Sequence, residues 1–131
     1  MIILDENILE GQRLLLEAWN ISPRQIGLDM GRKGLNDEQI IVLLRELRRP
    51  TFFSRDLGLY TPALRDHRYA IVVTAVRQYE VAAFVRRFLR HPMFDTKAKR
   101  TGKIIRLSSS GIGFWQTRRQ QETAVGWERR G

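Results

Sequence analysis

The feature that most constrains the fold is an alternation of short apolar runs with longer segments of helical period. Met1-Ile2-Ile3-Leu4, Thr51-Phe52-Phe53-Ser54, Tyr69-Ala70-Ile71-Val72-Val73-Thr74 and Ile104-Ile105-Arg106-Leu107 have the length of strands, and the third is rich in β-branched residues. Near-continuous apolarity is what a strand covered on both faces requires. Between these runs, Ile8, Leu15, Leu16 and Trp19 recur on one helical face. Ile40, Ile41, Leu43, Leu44 and Leu47 form a second stripe, and Val81, Val85, Phe88 and Leu89 a third. Strands alternating with helices predict an α/β domain with a mostly parallel central sheet flanked by helices.

Local signals place the boundaries. Asn20-Ile21-Ser22-Pro23 breaks the first helix, and Arg24-Gln25-Ile26-Gly27-Leu28 supplies a short strand. Asn36 is an N-cap with Gln39 as its capping-box partner, so a helix runs from Asn36 to about Arg48, where Arg49-Pro50 end it. Residues 57–68 read as an irregular crossover, 78–90 as a helix and 97–103 as a basic loop. Ser108-Ser109-Ser110-Gly111 turns the chain from Ile104-Ile105-Arg106-Leu107 into Ile112-Gly113-Phe114-Trp115, a C-terminal antiparallel hairpin. One domain over residues 1–116 and a polar, flexible tail over 117–131 complete the expected organisation.

Composition narrows the function. The 131 residues contain no cysteine, which excludes a disulfide scaffold, Cys-ligated metal and thiol catalysis. The net charge is +9, and it is unevenly spread: residues 1–66 hold 9 Lys+Arg and 10 Asp+Glu, residues 67–131 hold 14 and 4. A basic half beside a near-neutral half points to a polyanion, with RNA or DNA foremost. No apolar run reaches the roughly 18 residues that a membrane span needs. Asp5, Glu6 and Glu10 stand where a secretory leader carries positive charge, so a cytoplasmic protein is expected.

The acids fall at three places where a parallel sheet binds ligands: Asp5 after the first strand, Asp37 and Glu38 at the start of a helix, and Asp56 after a later strand. Converging carboxylates repel one another, and a divalent cation with hard oxygen ligands, Mg²⁺ or Mn²⁺, relieves that repulsion. Such an ion suits phosphodiester hydrolysis. Each acid also has a plainer reading. Asp5 can cap the first helix, Asp37 and Glu38 can offset a helix dipole, and Asp56 can serve a turn.

Ile3-Leu4-Asp5-Glu6-Asn7 resembles the L-L-D-E-N opening of the small PIN-like domains, relatives of the VapC-type ribonuclease toxins. Gly34-Leu35-Asn36-Asp37-Glu38-Gln39-Ile40-Ile41 resembles their G-x-x-D-E-E-I-L segment, and Phe52-Phe53-Ser54-Arg55-Asp56 their V-L-V-T-R-D strand end. The matches keep order and spacing over about residues 1–60. The resemblance implies a metal-dependent endoribonuclease leaving 5′-phosphate and 3′-hydroxyl ends. It implies Asp5 and Asp56 as ligands, Asp37 or Glu38 as ligand or water-orienting group, and Glu6, Asn7, Ser54 and Arg55 in support. A toxin role with a small antitoxin partner, and a homodimer, are implied as well. One position departs: the family continues T-R-D-x-D-F, whereas here Gly58 stands two residues after Asp56. Asp66 is the nearest further acid in sequence.

Arg32 and Lys33 in the Gly31-Arg32-Lys33-Gly34 loop serve either as phosphate contacts or as a solvated loop. Arg86, Arg87, Arg90, Lys97, Lys99, Arg100 and Lys103 serve either as phosphate contacts or as a cation-stabilised helix end followed by a soluble loop. Phe114, Trp115 and Trp127 serve either as base-stacking platforms or as core. His67 and His91 lack the partners of a serine-hydrolase triad. The competing reading is a non-catalytic nucleic-acid- or partner-binding module that keeps the fold with an incomplete acid set. A membrane-surface protein using the 78–90 helix ranks below both.

Overall fold

The computed structural model describes residues 1–128. In chain order the elements are β1 (Ile2–Leu4), α1 (Glu10–Ala18), β2 (Pro23–Gln25), α2 (Asp37–Glu46), β3 (Thr51–Ser54), two single 3₁₀ turns (Leu57–Leu59 and Pro62–Leu64), β4 (Ala70–Thr74), α3 (Val81–Arg90), α4 (Lys97–Arg100), β5 (Lys103–Ser108), β6 (Gly111–Gln116) and β7 (Thr123–Val125). The strands form one sheet in the order β2-β1-β3-β4-β5-β6-β7. β1 to β5 run parallel, and β6 and β7 are added antiparallel. The expected α/β architecture, with its parallel sheet and C-terminal hairpin, is therefore present.

The unbroken apolar runs have their explanation in two cores. Leu4, Phe53, Val72, Ile105 and Leu107 face α1 and α3, with Leu16, Val81, Val85 and Phe88 packed on them. Their strand neighbours Ile3, Phe52, Ile71, Val73 and Ile104 face α2, meeting Ile40, Ile41 and Leu44. Every residue of β3 and β4 is buried, as a central strand between two helical layers requires. α2 begins with the capping box read from sequence: Asn36 Oδ1 accepts from Gln39 N at 2.8 Å and Gln39 Oε1 from Asn36 N at 2.9 Å.

Three expectations need correction. Residues 117–128 are not a free tail, because β7 pairs with β6 and Trp127 packs edge-on against Phe84 at 5.5 Å; residues 129–131 of the expected tail lie outside the described residues. The 97–103 segment contains the short helix α4, its N-terminus capped by Thr96. On α1, Leu15 is exposed and Gln12 is buried instead, since the Gln12 side chain accepts the Ala82 N–H at the start of α3 (2.9 Å). Among the described residues no helix is long and apolar enough to cross a membrane.

Candidate functional site

Parallel strands bring their carboxyl ends to one edge of the sheet, here Leu4, Gln25, Ser54, Thr74 and Ser108. Asp5 follows β1 directly, and Asp56 follows β3 by two residues. α2 returns the chain to the start of β3, so its first residue, Asp37, stands at the same edge. Asp5, Glu6, Asn7, Asp37, Arg55 and Asp56 line one cleft of about 310 Å³. Glu38 lies outside it, on a shallow exposed surface with Asn36.

Ser54 organises the centre. Its buried hydroxyl donates to Asp5 Oδ2 at 2.7 Å and accepts the Asp56 N–H at 3.0 Å. Burial pushes the Asp5 carboxyl above its ordinary value. The neighbouring Glu6 and Asp56 carboxylates add to this rise, and the Ser54 and Glu6 hydrogen bonds oppose it. A carboxyl raised by desolvation and like charge in a cleft is the pattern of functional sites. The plainer reading of Asp5 fails, because the N-cap of α1 is Leu9 with no side-chain cap. Asp56 does cap a turn, Oδ1 accepting from Gly58 N at 2.9 Å.

The surrounding loops are held by specific bonds. Gln25, a buried amide at the end of β2, donates to the carbonyls of Asp5 (3.0 Å) and Ile8 (2.8 Å) and fixes the segment carrying Asp5, Glu6 and Asn7. Glu6 Oε1 accepts from Gly34 N at 2.8 Å, tying the Arg32–Lys33 loop to the cleft. Gly34 has φ +80°, a backbone state that favours glycine. Gln25 was not singled out from sequence, since beside Arg24 in the three-residue strand Pro23–Gln25 it carries no signal of burial.

The other expected residues lie elsewhere. Among the described residues no group of three His, Cys, Asp or Glu side chains is close enough to hold a metal ion. Asp66 is occupied by Arg68 (2.7 Å) and Arg45 (3.3 Å), which hold its carboxyl well below the usual range. Arg86 and Arg87 stack on Trp19 and Trp127, with guanidinium carbons 4.6 and 4.5 Å from the ring centroids. Arg100 is buried and donates to Thr51 Oγ1 (3.0 Å) and the Phe94 carbonyl (3.0 Å). Lys99 pairs with Asp95 (2.8 Å), and half-buried Lys103 lies 5.9 Å from the Phe94 and Phe114 rings. Phe114 is core.

The basic cluster is also at the wrong end for the acids. Arg100 touches Thr51, the first residue of β3, whereas Asp5 touches Ser54, the last. Those two strand ends are roughly 10 Å apart at about 3.3 Å per residue. α3 starts near the end of β4 and returns to the start of β5, which leaves Arg90, Lys97 and Lys99 at that far edge too. Arg32 and Lys33, between β2 and α2, share the edge of the acids.

Comparison with protein-family models, curated proteins and solved structures finds no match to this chain.

Proposed function

We propose that this is a metal-dependent endoribonuclease of the PIN-like type, with Asp5 and Asp56 as its principal carboxylates. The observation carrying the reading is the single Ser54 hydroxyl that serves both residues at the carboxyl edge of a parallel sheet, inside a cleft also lined by Asp37. The donor set suits a hard cation. Mg²⁺ and Mn²⁺ keep several waters and are held by one or two carboxylates together with substrate phosphates, so a closed cage of three side chains is not required. Asp5 and Asp56 would hold the ion; of the two other cleft carboxylates, Glu6 is engaged by the Gly34 N–H, which leaves Asp37 to orient water. When bound, such an ion supplies an activated water and neutralises charge on the phosphodiester. Ser54 orients the Asp5 carboxylate, and Gln25 and Glu6 keep the flanking loops in position. The toxin role, the antitoxin partner, the homodimer and a cytoplasmic location are carried by the resemblance and the sequence alone.

The test is cleavage of end-labelled single-stranded RNA with Mn²⁺, with Mg²⁺ and with EDTA, followed by end-group analysis. Metal-dependent cutting to 5′-phosphate and 3′-hydroxyl ends is expected. Cutting that persists in EDTA, or 2′,3′-cyclic phosphate ends, would overturn it.

The second reading, a non-catalytic binding module, is favoured by one observation. Gly58 adds no carboxylate beside Asp56, and Asp56 Oδ1 is engaged by the Gly58 N–H. It predicts RNA binding with no cleavage in either metal.

A further inference from the structure

A second depression opens next to the acid cleft at the same sheet edge, beyond the ends of β3, β4 and β5. It measures about 460 Å³, and its lining includes Arg55, Leu57, Thr74, Arg77, Glu80 and Ser109. Arg55 lines both spaces and so stands on the wall between them. Its Nε donates to the Val76 carbonyl at 3.1 Å, which holds the guanidinium across the gap between the β3 and β4 loops.

The charge of this depression differs from that of the cleft. Arg55 and Arg77 are both exposed, and neither forms a salt bridge among the described residues. Glu80, the one acid in the lining, is turned to its own loop and accepts the Arg77 N–H at 3.1 Å. Ser109 adds a hydroxyl from the β5–β6 turn. Two unpaired guanidinium groups and a hydroxyl in a hollow are the donor set that a phosphodiester accepts, with arginine's planar fork suited to two non-bridging oxygens.

A polyanion cannot approach Asp5, Glu6, Asp37 and Asp56 without cations beside them. The basic cluster of α3 and α4 stands at the opposite edge; at the acids' own edge the cations are Arg32 and Lys33 before α2, Arg55 in the wall of the cleft, and Arg77 in the adjoining depression.

We infer that the Arg55–Arg77 depression binds a phosphate of single-stranded RNA flanking the scissile one, so that the strand crosses Arg55 as it leaves the acid cleft. This rests on the ribonuclease reading for its substrate, but binding and cleavage are separable. The experiment is titration of a fluorescent single-stranded RNA decamer in EDTA at several salt concentrations. Wild type, Arg77→Gln and the far-edge double variant Arg90→Gln/Lys97→Gln are compared. Arg77 is exposed, and an unchanged melting curve establishes that its variant folds. Arg77→Gln is expected to weaken binding about tenfold. It is also expected to lower the slope of log Kd against log salt by about 0.7, the loss of one single-strand phosphate contact. The far-edge variant is expected to keep wild-type affinity. Wild-type affinity and slope in Arg77→Gln, an equal or larger loss in the far-edge variant, or no RNA binding by wild type would each overturn the inference. Arg77-dependent binding without cleavage in Mn²⁺ would sink the ribonuclease reading alone. Metal-dependent cleavage with Arg77-independent binding would sink this inference alone.

Discussion

The Ser54 hydroxyl donates to Asp5 Oδ2 at 2.7 Å, joining the last residue of β3 to the residue that follows β1. The same oxygen accepts the Asp56 N–H, so the side chain of one carboxylate residue and the backbone of the other are positioned through a single buried atom.

Ser54→Ala removes that atom. Asp5 loses a hydrogen bond that holds its carboxyl down, so its pKa moves further up and the acidic limb of the pH–rate profile shifts to higher pH. Activity at neutral pH is expected to fall roughly 10–100-fold, the range for partners that orient a metal ligand. A profile superimposable on wild type would show that Ser54 does not position Asp5.

Asp5→Asn is expected to stabilise the fold at neutral pH. The Asp5 carboxyl is raised above its ordinary value of 3.8, chiefly by burial, so its ionisation favours the unfolded chain. The cost is absent below that ordinary value, grows as pH rises toward the folded-state value and is constant above it. Asparagine carries no such cost and can still accept from Ser54. Urea midpoints at pH 7 and pH 3 check this. The variant should be more stable than wild type at pH 7, and the gain should vanish at pH 3. A gain equal at both pH values would contradict the electrostatic origin.

Gly58→Asp supplies the second acid of the PIN-like pattern that the sequence resembles. The backbone there needs no glycine, since Gly58 is not among the positive-φ residues; an added Cβ would meet Asp56 Oδ1 at 3.1 Å, so that carboxylate must shift by a few tenths of an ångström to admit it. One more hard oxygen ligand beside Asp56 is expected to lower the Mn²⁺ concentration for half-maximal cleavage about tenfold. An unchanged metal requirement would mean that the 58 side chain lies outside the site.

Much of this was legible in the sequence, for physical reasons. The strands that became β1, β3 and β4 announced themselves because burial on both faces favours near-continuous apolar runs, β5 because Ile104, Ile105 and Leu107 are buried, and α2 because Asn36 and Gln39 satisfy its first backbone N–H groups. Acid placement was legible because a carboxyl-edge residue is simply one that follows a parallel strand. β7 was not, since Thr123, Ala124 and Val125 are held by the open edge of β6 rather than by their own pattern. The basic half misled because charge was summed along the chain. A helix that returns from β4 to the start of β5 carries its last turn away from the acids, and aromatic stacking or burial engages Arg86, Arg87 and Arg100. Arg77 escaped notice because its neighbours gave it no motif, only a position beyond β4.

The most direct test of the central claim is single-turnover cleavage of labelled single-stranded RNA at saturating Mn²⁺ by wild type, Asp5→Asn and Asp56→Asn. A divalent site supplies several kcal/mol of transition-state stabilisation, so each variant is expected to lose about a hundredfold or more in rate while RNA binding in EDTA is retained. Cleavage by Asp5→Asn within a few-fold of wild type would contradict the account.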